Sequence, residues 1–249
     1  MSDKKLSKPA RWILITLAAT VPAFLVGFYA AYIHPILLPL IPTIALYPAY
    51  YLLVSKNRLK EAVVLVVAWA LLLTFLMAGF TVMYGEGIAP LVIKGESYKE
   101  EMFHWIKTGE GPEGDPRLFI VPKIREIIVF SVAAFVTAGF AALLMGAILL
   151  NYMNYYVGSL ILHALPGAEL QVALLSWPIY AILRVPGYVC LGVALSRLAI
   201  NLIRERRLKF GEVRKLLYVA LVLIVLDFIL KGTVANAFYQ PILNKIVQV

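Results

Sequence analysis

Groups able to do chemistry are scarce in this chain, so the few places where they gather can be taken one by one. The stretch "NYMNYYVGSLILHALPGAEL", residues 151–170, carries Asn151, Asn154, His163 and Glu169, with Pro166-Gly167 between the last two. An imidazole, a carboxylate and two amides beside a helix-breaking dipeptide have the makings of a cation, proton or solute site. Asp227 and Lys231 stand one helical turn apart in the last apolar stretch, spaced to neutralise each other or to relay a proton. Ser159 and His163 share that spacing, but no strand-to-helix nucleophile turn or orienting acid accompanies them, and they read as a packed polar contact. Glu110, Glu113 and Asp115 crowd "GEGPEGDPR" without the ordered oxygen spacing of a calcium loop, and read as a solvated turn. The candidate binding residues are therefore His163, Glu169, Asp227, Lys231, Asn151 and Asn154. No catalytic residue, metal ligand set or cofactor motif stands beside them.

Elements that could position these groups follow from composition. Of 249 residues, 62% are apolar and 15% charged, and the apolar residues fall in blocks of about 20, the length that crosses a bilayer as a helix. The fold class is all-α, a polytopic membrane helix bundle. The net charge of +9 does not indicate a nucleic-acid partner, because the basic residues sit in short connections between apolar blocks, where they set topology. Cys190, the single cysteine, lies inside an apolar block and reads as packing. Trp12 to Ile33 is too long for a signal-peptide core and runs into a second apolar block, so it is a retained span.

Spans fall near 12–33, 36–55, 61–84, 126–150, 153–183, 186–203 and 215–235, about seven, with six to eight compatible with the proline-rich 12–55 hairpin and the 153–203 region. The parts are an N-terminal three-helix region (12–84), an external segment (85–125) and a C-terminal bundle (126–235) within one membrane domain. With the N-terminus inside, the "SKNRLKE" and "RERRLKFGEVRK" loops are both cytoplasmic. The external segment and the C-terminus then lie outside the cell membrane.

Within the external segment, "SYKEEMFHWIKTGEG" predicts an amphipathic helix with a Ser97–Glu100 capping box and Gly109 just past its end. Tyr98, Met102, Trp105 and Ile106 share one face, to lie on the outer leaflet or lid the bundle. Ala134, Ala138, Ala142 and Gly146 recur every four residues and predict close packing on one helix. Met153 to Arg184 is too long for one straight crossing, and Pro166-Gly167 predicts a broken helix there, with His163 and Glu169 at facing helix ends. Arg184, before Val185-Pro186-Gly187, is expected at an outer span end among headgroups and water.

Two resemblances bear on function. Glu100-Glu101 followed by His104 is similar to the start of the signature of intramembrane prenyl-peptidases, but no second histidine motif accompanies it, which leaves a metallohydrolase a distant alternative. "LILHALPGAELQVALLSWPIYAILRVPGYVCLGVAL" resembles Yip-type integral membrane proteins through His163, Pro166-Gly167, Ser176-Trp177-Pro178 and Pro186-Gly187, over residues 122–235. That resemblance implies a non-catalytic scaffold with protein partners or a homo-oligomer. The residues themselves favour transport or channel-like movement of an ion or small solute through the break, with the lipid bilayer as the surrounding partner.

Overall fold

The computed structural model describes residues 8–248, with side chains from Ile13 onward; the basic tail at Lys4 and Lys5 lies outside the described residues. Among these residues ten α-helices follow one another: α1 (Lys8–Ala30), α2 (Leu37–Ser55), α3 (Leu59–Tyr84), α4 (Gly95–Thr108), α5 (Pro116–Val136), α6 (Phe140–Leu162), α7 (Glu169–Leu175), α8 (Ile179–Glu205), α9 (Phe210–Val234) and α10 (Gln240–Ile246). A 3₁₀ turn, Glu86–Leu91, precedes α4, and a π-turn, Ala235–Tyr239, joins α9 to α10. Among the described residues, five helices are long and apolar enough to cross a membrane: Ile13–Ala30 of α1, then α2, α3, α6 and α8. The protein is a multi-pass membrane helix bundle.

One end of the bundle is tied together by Arg197 of α8. Its guanidinium donates to the carbonyls of Val54 and Ser55 at the end of α2, at 3.2 and 3.0 Å, and to Glu212 of α9 at 2.8 Å. Carbonyls in the last turn of a helix lack intrahelical partners, so a cation there satisfies both hydrogen bonding and the helix dipole. The basic connections between α2 and α3 and between α8 and α9 therefore share this end. The other end carries α4, α7 and α10.

The expected boundary between residues 150 and 153 does not exist. α6 runs unbroken through it, and the chain reverses earlier, at Thr137–Gly139. Thr137 makes that reversal affordable in an apolar setting. Its hydroxyl donates to Ala133 O at 2.6 Å, closing α5, and accepts from Ala141 N at 2.9 Å, opening α6. Ala138 and Gly139 take left-handed backbone, with φ of 48° and 98°. The Ala134–Gly146 repeat therefore straddles a turn and forms no stripe on a single helix.

A Cβ on Gly139 would come within 2.5 Å of Ser196 Oγ and 2.6 Å of the Tyr50 ring. Gly139→Ala is expected to destabilise by about 1–3 kcal/mol through overpacking and backbone strain. Cys190 is buried, so a thiol-reactive fluorophore added during heating reports unfolding. An unchanged midpoint would mean that Tyr50 and Ser196 yield at no cost.

Pro186-Gly187 does not break a helix either, since α8 continues through both residues. Gly187 lies against α9, where a Cβ would meet Leu223 Cβ at 3.2 Å. Close helix contact is the reason for that glycine.

Candidate functional site

Between α6 and α8 lies a cavity of about 920 Å³, flanked by α3 and α5 and covered by α4. α4 is the amphipathic helix read from the sequence, with Met102, Trp105 and Ile106 buried and Tyr98 partly so. Its start differs from expectation. Lys94, with φ of 61°, precedes the first turn, and the Ser97 hydroxyl donates back to Lys94 O at 3.3 Å, so no Ser97–Glu100 capping box forms. Its end agrees: Gly109 has φ of 76° and donates to Trp105 O at 2.8 Å.

Side chains from the π-turn and α10 latch this lid. Trp105 Nε1 donates to Asn236 Oδ1 at 2.7 Å, Asn236 Nδ2 to Gly109 O at 3.1 Å, and Gln240 Nε2 to Ile106 O at 2.7 Å. The π-turn inserts one extra residue into the helical path. Asn236 sits over Gly114, where any Cβ would collide with its amide.

Beneath the lid, charged groups from four elements converge. Arg184 of α8 is bidentate to Asp227 of α9, Nε to Oδ2 and Nη2 to Oδ1, both 3.0 Å, with the Asp227 side chain 1% exposed. Arg184 is therefore no solvated span end. Lys231 does not pair with Asp227 as its spacing suggested; it lies 2.8 Å from Glu113 Oε2 and 5.0 Å from the Phe119 ring centroid. On α5, Lys123 Nζ is 3.8 Å from Glu126 Oε1, which also accepts from Tyr188 OH at 2.8 Å.

Glu113 of the "GEGPEGDPR" loop is buried, and Tyr180 donates a further bond to it. Burial alone would lift its carboxyl, but the Lys231 and Arg184 charges outweigh that and hold it below the usual carboxylate range. Asp115 of the same loop caps α5, accepting from Arg117 N at 2.9 Å. Glu101 of the lid also faces the cavity, and burial raises its carboxyl. Among the described residues no group of three or more His, Cys, Asp or Glu side chains is placed to hold a metal.

Of the six residues singled out from the sequence, the structure brings Lys231 and Asn154 to the cavity and places Asp227 directly behind Arg184. Asn154 is held by three contacts: Nδ2 donates to Leu150 O at 2.7 Å and Thr74 Oγ1 at 3.3 Å, and Oδ1 accepts from Trp177 Nε1 at 3.0 Å. Asn151 is buried on α6, its Oδ1 without a hydrogen-bond partner among the described residues.

His163 and Glu169 lie apart from the cavity lining. His163 ends α6, its Nδ1 2.9 Å from the Ser159 carbonyl rather than the serine hydroxyl, and 3.6 Å from Glu86 Oε1. Glu169 is exposed at the start of α7 and accepts from Gly167 N at 3.2 Å. Backbone hydrogen bonds at Glu169 itself and at Gly167 hold its carboxyl below the ordinary range.

Sequence reasoning missed Arg184, Lys123 and Glu126 as members of one cluster. The signal was present in "FIVPKIREIIVF", where Lys123, Arg125 and Glu126 interrupt an otherwise apolar run and the Lys–Glu pair stands at i, i+3. Tyr152 and Tyr156, one turn apart on α6, line the same cavity. No family model, no curated protein and no solved structure matches the chain. The likeness to Yip-type proteins thus rests on the sequence residues alone; His163, Pro166-Gly167 and Ser176-Trp177-Pro178 cluster around α7, while Pro186-Gly187 lies inside α8.

Proposed function

We propose that the protein is a transporter that carries a small molecule through the cavity between α6 and α8. The observation that carries this reading is the cavity itself: its 920 Å³ is at the upper end of small-molecule sites, roughly 300–1,000 Å³, and it gathers charged groups that, in this reading, lie at membrane depth, where they are costly unless used. Transport through the Pro166-Gly167 turn has no such support, because His163 and Glu169 lie apart from the cavity.

In this reading the bundle crosses the cell membrane seven times, with α5 and α9 added to the five most apolar helices. Ile124, Ile128, Val132 and Val136 form an exposed apolar stripe on α5, and Leu221, Val225 and Ile229 form another on α9, as lipid-facing surfaces require. The Arg197 end, bearing the basic connections, is cytoplasmic by the positive-inside rule, and the lid and C-terminus are external.

Thiol labelling in sealed vesicles of both orientations tests this. In a Cys190→Ala background, Ser97→Cys at the lid end is expected to react with an impermeant maleimide from the outside only. Ala142→Cys, which lines the opposite end of the cavity, is expected to react from the inside only. Reaction at the lid position alone would leave a blind pocket and overturn transport. Reaction at neither would leave a dry bundle and favour the partner-binding role that the Yip-type resemblance implies.

A further inference from the structure

The cavity is a long slot rather than a spherical site. Its wall on α6 extends from Ala142 to Val157, about 22 Å at 1.5 Å per residue. Charged groups occupy only the lid half, and at the far end the Tyr50 hydroxyl is taken up by Ser196. Along the rest, the walls are apolar, contributed by residues such as Leu143, Leu149 and Val189.

The slot also opens sideways. Leu71 and Phe75 near the middle of α3, and Ile182 of α8, line the cavity yet are 53%, 64% and 54% exposed. A portal at that depth faces hydrocarbon in a bilayer, so what enters through it is soluble in lipid.

Hydrogen-bond accounting at the lid end decides the head group. Three carboxylates there are already engaged: Asp227 by Arg184, Glu113 by Lys231 and Tyr180, and Glu126 by Tyr188. Glu101 of the lid has no hydrogen-bond partner among the described residues, and the rest of the spare capacity is in donors. Lys123 has only the 3.8 Å contact with Glu126, too long for a hydrogen bond. Arg184 Nη1 donates to no described group, because Nε and Nη2 serve Asp227. Tyr98, Tyr152 and Tyr156 line the cavity, and their hydroxyls make no hydrogen bond among the described residues. Five vacant donors, two of them on basic side chains, call for an acceptor-rich anion. Glu101 and Glu113 face the same space, so a dianion would meet two carboxylates, whereas a single negative charge replaces the loose Lys123–Glu126 contact at little cost.

Resting on the reading of the cavity as a ligand site, we propose that its occupant is a lipid phosphodiester. The phosphate is held beneath α4 by Lys123, Arg184 and the three tyrosine hydroxyls, and the hydrocarbon chains lie along α6 and α8 toward the portal at Leu71, Phe75 and Ile182.

Trp69, Trp105 and Trp177 line the slot, so lipids with brominated chains, which quench tryptophan fluorescence on contact, read occupancy in detergent-solubilised protein. Brominated phosphatidylglycerol is expected to quench saturably. Lys123→Met should weaken that binding roughly tenfold or more, the loss of one charge-assisted bond, and Tyr152→Phe, which keeps the ring, about threefold. Phosphatidate titrated above its second ionisation, with the same chains and a dianionic head, should bind more weakly than phosphatidylglycerol.

Equal quenching by brominated diacylglycerol, which lacks phosphate, would overturn the proposal, as would unchanged affinity in Lys123→Met. Tighter binding of a brominated alkyltrimethylammonium would reassign the pocket to cations. Any of these outcomes can occur while both cysteines label from opposite sides, so failure of the ligand class and failure of the transport reading are separable.

Discussion

Arg184→Met is expected to destabilise the protein by about 3–5 kcal/mol, the usual cost of removing one partner from a buried ion pair. The guanidinium engages both oxygens of Asp227, whose side chain is 1% exposed. Methionine fills much of the same volume, so the loss comes from a carboxylate left without a partner rather than from a void. Arg184→Met combined with Asp227→Leu should recover most of the stability, because two apolar side chains replace two charges that each cost desolvation. Thermal unfolding read through Cys190 checks both variants. A double variant no more stable than the single one would mean that the pair holds the α8–α9 packing itself, rather than compensating two buried charges.

Trp105→Ala should have a comparable effect on a different part of the molecule. The indole is 1% exposed and packs with Met102, Ile106, Tyr156, Leu160 and Tyr180 beneath the lid, and aromatic-to-alanine changes at such sites cost about 3–5 kcal/mol. It also leaves Asn236 Oδ1 without its 2.7 Å donor. Trp105→Phe retains most of the area and removes that hydrogen bond, about 1 kcal/mol. The damage should fall on the lid, so hydrogen exchange over residues 95–114 is expected to accelerate more than exchange in α3 or α8. Uniform acceleration would show that α4 unfolds only with the whole bundle and does not act as a separable cover.

Local features of this architecture were legible in the sequence, and long-range ones were not. The face of α4 follows from the spacing of Met102, Trp105 and Ile106, and its end from Gly109, because both depend on neighbours within two turns. Charge in the connections foretold that the α2–α3 and α8–α9 loops share one end, as Arg197 confirms by bonding to Val54 and Ser55. Hydropathy could not locate the α5–α6 turn. Thr137, Ala138 and Gly139 are small and sparingly polar, so the turn is as apolar as the helices it joins, and burial depth carries no information about chain direction. Charge pairing failed for a related reason. Spacing along α9 favours Asp227 with Lys231, but tertiary packing offers Asp227 a bidentate arginine 43 residues away and Lys231 a carboxylate from the loop after α4. Starting the fourth helix at 126 also left Lys123 outside it, which hid its relation to Glu126 and to the cavity.

The latch on α4 sets an order of assembly. Trp105 and Ile106 receive their polar partners from Asn236 and Gln240, which lie 131 and 134 residues further along the chain. A nascent chain therefore displays the apolar face of α4 long before anything can fasten it down. Arg184 likewise lacks its bidentate partner until Asp227 of α9 has been made. Closure of the lid and neutralisation of the buried arginine thus become coupled events, since both wait for residues 227–240.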